Sequence, residues 1–216
     1  MASTERLTPE NSAIVLIDYA MGFANLFRSH TVEANVNASV ALAKTAQTFN
    51  VPLVVTHGRE TDGPGPIYPE LRAALGAHPI VERDGEFDAF ENEAFRAAIA
   101  ATGAQTVILA GLMTEGCVLH TAMGGLRRGY DVAVVGDASA GETLELHNLA
   151  LQRMIQVGVT PVSWMSLATE YQVSWGRGET VGGYTGLILD HSPQLGMNLK
   201  AAMAQAALAQ PAADAK

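Results

Sequence analysis

The chain has 216 residues, 48% of them hydrophobic and 16% charged, with a net charge of -9 and a single cysteine. Length and apolar content suit one folded domain with a full core and exclude a disordered chain. The acidic balance, the absence of any internal disulfide and the lack of a segment apolar enough for a signal or a membrane span argue against nucleic acid and membrane surfaces as partners and predict a soluble cytoplasmic protein.

In chain order, Asn11–Asp18 is the first apolar run, and it ends in a carboxylate. A strand that apolar is covered on both faces of a parallel sheet, which puts Asp18 at the sheet's carboxyl edge. Residues 21–26 read as a partly apolar loop or short helical turn, and Val32–Phe49 as an amphipathic helix with Val36, Val40, Ala43 and Phe49 near one face. Residues 51–56 form a second strand. The loop from His57 to Pro66 is rich in Gly and Pro. No second histidine stands at ligand spacing beside His57 and Asp62, so the loop reads as a surface or substrate-facing segment and not a metal site. A short helix over residues 70–75 leads to a third strand, residues 79–83, ending in the cation Arg83. Residues 93–101 are helical, with Phe95 and Ile99 one turn apart.

Thr106–Ala110 is the fourth strand. From Glu115 onward Val118, Ala122 and Leu126 recur at helical spacing, Arg127 and Arg128 suit the last turn, and Gly129 stops the helix. Cys117 therefore falls at the start of a helix just past a strand end, where open α/β sheets place their ligands. A helix amino terminus favours the thiolate, the attacking form. A lone cysteine reads equally well as a small buried hydrophobe, so its partners must decide. Tyr130–Gly136 is a fifth strand and residues 144–157 a helix. Residues 160–164 form a sixth strand, placed at the sheet edge by Pro161, which cannot donate to a ladder. Six strands alternating with helices predict a three-layer α-β-α sandwich around a six-stranded parallel, doubly wound, Rossmann-like sheet. The whole chain, 1–216, reads as a single domain. Its residues 176–216 form an extension that is expected to pack on a neighbouring subunit, with a disordered end after Gln210.

Three strand ends thus supply Asp18, Arg83 and Cys117. A cysteine nucleophile needs a group to take its proton and a group to stabilise the thiolate, and a carboxylate paired with a cation does both. Four stretches carry a resemblance: Ala13–Asp18, Phe87–Phe95, Ile108–Val118 with its Thr-Glu-Gly-Cys-Val element, and Val135–Ser139. On these, the chain from about Ala13 to Trp164 resembles the isochorismatase-like cysteine hydrolases, and within them the YcaC-like branch.

The resemblance implies an Asp–Lys–Cys catalytic set. Asp18 as general base and Cys117 as nucleophile match it, while Arg83 stands where the family carries Lys, as YcaC-like members tend to show. Arginine is a permanently charged fork that does not titrate, but it can bridge Asp18 and hold a negative charge. The resemblance further implies a cis peptide at Leu112–Met113, which would turn the backbone amides of Met113 and Cys117 toward one spot as an oxyanion hole. It implies neither metal nor cofactor, since the second strand ends in Thr56-His57-Gly58 without the aspartate and paired histidines of the nicotinamidase pattern. Nothing in the sequence argues for vinyl-ether cleavage of isochorismate.

The expected reaction is cleavage of a C–N bond in a small amide or carbamoyl compound through a Cys117 thioester, in a homo-oligomer of four or eight subunits. Phe23, Phe87 and Phe90 are candidates for an apolar substrate pocket, though each also reads as core packing. Glu115 and His120 are given no catalytic role. The alternative is a catalytically altered member acting as a small-ligand-binding or thiol redox-responsive protein. Retention of Asp18, which a thiol sensor does not need, favours the enzyme.

Overall fold

The first strand, β1 (Ser12–Ile17), is buried at every residue, and its side chains divide by simple alternation. Ile14 and Leu16 enter one core with Leu42, Tyr171 and Ile188, while Val15 and Ile17 enter a second with Phe95, Ile99, Val107 and Leu109. Both faces being covered, the strand shows no polar alternation. The computed structural model describes residues 6–209, so the expected disorder after Gln210 lies outside the described residues.

The other strands are β2 (Leu53–Gly58), β3 (Ile80–Arg83), β4 (Thr106–Gly111), β5 (Asp131–Val135) and β6 (Thr160–Val162). They form one sheet in the order β3-β2-β1-β4-β5-β6, with every neighbouring pair parallel. The three-layer, doubly wound α/β architecture is therefore present, and Pro161 lies in an edge strand as expected. The order reverses between β1 and β4, and the carboxyl ends of those two strands open the crevice where doubly wound sheets bind ligands. The strand β2 runs on to Gly58, because His57 and Gly58 continue the ladder against Glu82 and Arg83. His57 is thus a buried strand residue, 3% exposed, and not part of the following loop.

Helices α1 (Val32–Phe49), α6 (Trp164–Gln172) and α7 (Val181–His191) cover one face, while α3 (Glu93–Thr102), α4 (Leu119–Arg127) and α5 (Leu144–Gln156) cover the other. The short α2 (Pro69–Leu75) leads into β3, and α8 (Pro193–Ala209) follows α7. Thr31 caps α1 by accepting from the Ala34 amide at 3.1 Å. Its fully buried stripe runs through Asn35, Ala38, Leu42, Thr45 and Phe49, a heptad-like spacing, whereas Val36 and Val40 are half-buried at the flank.

The extension differs from expectation over residues 181–191. Tyr184, Leu187 and Ile188 of α7 are buried in the chain's own core against α1, the His191 carbonyl accepts from Asn37 at 2.9 Å, and Lys44 pairs with Asp190 at 3.1 Å. The apolar positions of α7 match a stripe that α1 leaves open on its own subunit, so no neighbour is required to bury them. In α8, by contrast, Met197 and Met203 are exposed. No helix among the described residues is long and apolar enough to cross a membrane.

Candidate active site

Asp18 is the first residue past β1, and its backbone takes a left-handed conformation, φ 54°. Aspartate tolerates that region better than most residues because its short polar side chain bonds locally. Its amide donates to the Thr56 carbonyl at 3.0 Å and its carbonyl accepts from Ala20 at 2.7 Å, so the chain turns sharply at the sheet edge.

Arg83 ends β3, two strands away, and every nitrogen of its guanidinium is engaged. Nε donates to Thr56 Oγ1 at 2.9 Å, one terminal nitrogen donates to the Glu86 carbonyl, and the other forms an ion pair with Asp18. Both partners are buried, at 3% and 6% exposure. A buried ion pair holds only where its remaining hydrogen-bonding positions are filled, and here the fork geometry of arginine fills them. Burial works to lower the Arg83 pKa, but the charge and hydrogen bond of Asp18, with those of Cys117, together outweigh it and the group stays cationic.

Cys117 comes from the far side of β1. A Cβ at Gly111 would overlap the Ile17 carbonyl, so only glycine lets the end of β4 run this close to β1. The Leu112–Met113 peptide is cis, and a π-helical turn, Thr114–Val118, precedes α4. Thr114 donates to the Ala140 carbonyl at 2.9 Å, and Gly116 and Val118 donate to the Met113 carbonyl at 3.0 and 3.3 Å. The Met113 amide is not among these bonds. The turn is tied further by Thr114 Oγ1 to His147 Nδ1 at 2.8 Å and by the Glu142 amide to Glu115 Oε1 at 2.8 Å.

Sequence reasoning placed Cys117 at a helix amino terminus that would favour its thiolate. Cys117 does open the helical run, directly after the non-helical Gly116 (φ -104°, ψ -109°), but burial governs the thiol. Burial, together with the charge of Asp18, pushes the Cys117 pKa up to about 12, with Arg83 opposing. At neutral pH the cysteine is a thiol, and its reactivity depends on a neighbour able to take the proton.

Asp18, Arg83 and Cys117 line one cavity of ≈ 230 Å³, together with Phe23, Phe87, His57 and Pro64. A volume of this size admits a small organic molecule. Phe23 is half-buried on the wall, and Phe87 is 67% exposed at the rim beside His120. Phe90 does not belong to the pocket: it is 1% exposed, packed edge-on against Phe95 at 5.1 Å and stacked on Tyr130 at 5.5 Å. The short turn at residues 89–91 swings it into the core beneath α4. Among the described residues, no three His, Cys, Asp or Glu side chains stand close enough to hold a metal ion.

Three participants escaped the sequence. Thr56 sits at a strand end, as Asp18 and Arg83 do, and that shared position was a usable signal. The Glu86 carbonyl and His147 carried none, since a backbone acceptor and a contact between residues 114 and 147 depend on the folded chain.

The Isochorismatase domain family matches residues 12–166. Probable hydrolase YcaC of Escherichia coli is 34% identical over 188 residues, 87% of this chain and 89% of that protein. Among solved structures, YcaC from Pseudomonas aeruginosa, with hexane-2,5-diol and covalent acrylamide, superposes with a TM-score of 0.88 at 29% identity, covering 94% of this chain and 100% of that one. The Escherichia coli YcaC gene product, described as an octameric hydrolase of unknown specificity, gives a TM-score of 0.88 at 32% identity, covering 95% and 100%.

Proposed function

The chain belongs to the isochorismatase domain family, in its YcaC-like branch, and on that footing we propose that it is a cysteine hydrolase cleaving the C–N bond of a small amide or carbamoyl compound. The observation that carries the reading is the meeting of the Cys117 thiol, the Asp18 carboxylate and the Arg83 guanidinium in one cavity of small-molecule size. Because the thiol is protonated at rest, attack is coupled to proton transfer. Asp18 takes the Sγ proton as sulfur bonds to the substrate carbonyl carbon, and Arg83 holds Asp18 in place and faces the negative charge. The carbonyl oxygen, now an oxyanion, is met by the amides of Met113 and Cys117. Collapse breaks the C–N bond, Asp18 returns its proton to the departing amine, and a Cys117 thioester remains. Water, deprotonated by Asp18, then attacks the thioester, releasing the carboxylic acid and restoring the thiol.

The covalent acrylamide in the Pseudomonas aeruginosa YcaC structure supports a reactive nucleophile in that relative, since acrylamide adds to nucleophiles through its vinyl carbon. A redox-sensing role is less well supported: sensor cysteines are low-pKa and exposed, and this thiol is neither. The octameric relative supports assembly of this chain as a homo-oligomer, with four or eight subunits.

The test is hydrolysis of a panel of small primary amides and carbamoyl compounds, followed by ammonia release, with intact mass spectrometry for an acyl adduct. Turnover by the wild type, with an adduct on Cys117 that is lost in Cys117→Ala, is expected. Turnover that survives Cys117→Ala would remove the nucleophile from the mechanism.

A further inference from the structure

Helix α8 turns back on α7 at Ser192 and touches its own subunit along only part of its length. Gly196 crosses α7 so closely that a Cβ there would stand 2.8 Å from the Ile188 carbonyl, and Leu199 packs half-buried against the first core. Met203 follows on the same side of the helix, four residues past Leu199, yet it is 57% exposed. The lengths explain this. With 11 residues in α7 and 17 in α8, a rise of 1.5 Å per residue carries α8 about 9 Å past its support. Leu195, Met197 and every residue from 200 to 207 are exposed. The sequence of α8 does not suit that exposure: its only charge is Lys200, and the chain has no acid between Asp190 and Asp214. Its leucines, methionines and alanines are spread round the helix, and a helix apolar all round belongs in an interior. Trp175, 56% exposed, rests on Tyr184 of α7, the helix that supports α8, and adds an aromatic of the kind that anchors interfaces.

We infer that the outer face of α8 is an interface with a second copy of this chain, and that the end of the helix beyond α7 seats on the neighbouring subunit. The inference rests on the homo-oligomer reading above and adds to it the surface through which subunits join. Charge selects the occupant. A net charge of -9 sets two copies repelling, and an acid-free helix is where they meet without that cost. A membrane surface fits poorly, because a helix lying on lipid needs one apolar face and a basic polar face, and α8 has neither. The octameric Escherichia coli YcaC superposes over 95% of this chain, which leaves fewer residues unmatched than α8 contains, so part of α8 has a counterpart in an assembled relative. Met197 and Met203 are then buried in the assembly, where flexible thioether side chains fill an irregular contact.

The test compares the wild type with the double variant Met197→Glu/Met203→Glu and with a chain ending at Lys200, by light scattering during size exclusion at one protein concentration. Both methionines are exposed in the subunit, so the substitutions remove no packing from the fold, and far-UV circular dichroism checks that it is kept. Should the double variant not fold, the shortened chain carries the test. The expected result is a wild type at a multiple of the 22.7 kDa chain mass and folded variants at half that assembly or less. An oligomeric wild type whose folded variants keep its full mass would overturn the inference and leave the homo-oligomer reading standing. A monomeric wild type would end both. Each protein is also sedimented with phosphatidylcholine vesicles: binding by the wild type that the variants lose, at unchanged mass, would assign α8 to a lipid surface and overturn the inference.

Discussion

Asp18 pulls the site in two directions. Its charge raises the Cys117 pKa, which suppresses the free thiolate, and in the proposed reaction the same carboxylate is the base that generates it. Asp18→Asn separates the two effects. With the negative charge gone and Arg83 still present, the Cys117 pKa falls below about 12, so the alkylation profile by iodoacetamide moves to lower pH. Amide turnover drops at least about 100-fold, the usual loss for a general base. A shift of the alkylation profile upward would contradict the charge argument. Arg83→Lys keeps the positive charge, yet one ammonium cannot reach Thr56 Oγ1, the Glu86 carbonyl and Asp18 together. Leaving part of a buried network unmet is expected to cost about 1–3 kcal/mol, read as a fall in the denaturant midpoint.

Among the elements, the turn that carries Cys117 is positioned less by its own sequence than by what it is tied to. Residues 113–118 bond to Ala140 and Glu142 after β5 and to His147 in α5. Burial, with the charge of nearby His30 adding, holds the His147 pKa down to about 4. A depressed folded-state value means that stability from this group is present above its ordinary pKa of 6.5 and is lost as pH falls toward 4. Thermal melts between pH 7 and 4 are therefore expected to show a fall in Tm of about 4 °C or more, and the fall is expected to shrink in His147→Asn. An unchanged pH dependence in that variant would place the acid sensitivity elsewhere. The opposite wall of the cavity is tied by similar means. Gly22 donates to the Pro64 carbonyl at 2.8 Å, and a Cβ there would come within 2.7 Å of that oxygen, so glycine is what lets the loop after β2 lie against the turn at residues 21–25.

For the whole molecule, the sheet delivers three side chains from three strands to one edge, and the helices outside it decide how firmly that edge is held. Docking of α7 on α1 completes the core on that face. Ile188 is fully buried there, and Ile188→Ala is expected to destabilise the fold by about 2–5 kcal/mol in chemical denaturation. A change below about 0.5 kcal/mol would mean that α7 is not part of the cooperative core. Light scattering on the intact protein is expected to give four or eight times the 22.7 kDa chain mass. A monomer would end the homo-oligomer reading without touching the chemistry of the site.

Periodicity and end signals were enough for the six strands, for α1 to the residue, and for the edge position of β6, because burial on both faces writes itself into composition locally. Asp18, Arg83 and Cys117 were legible for the same reason: each stands at or just past a strand end, and in a parallel sheet those ends share one edge. Tertiary structure alone decided the rest. Phe90 turned into the core, α7 packed on its own chain, and burial with the charge of Asp18 governs the Cys117 thiol. Solvent exclusion and an ion pair across 65 residues of chain arise only when distant segments close around one cavity. Spacing along the sequence does not encode which atoms are then left without water.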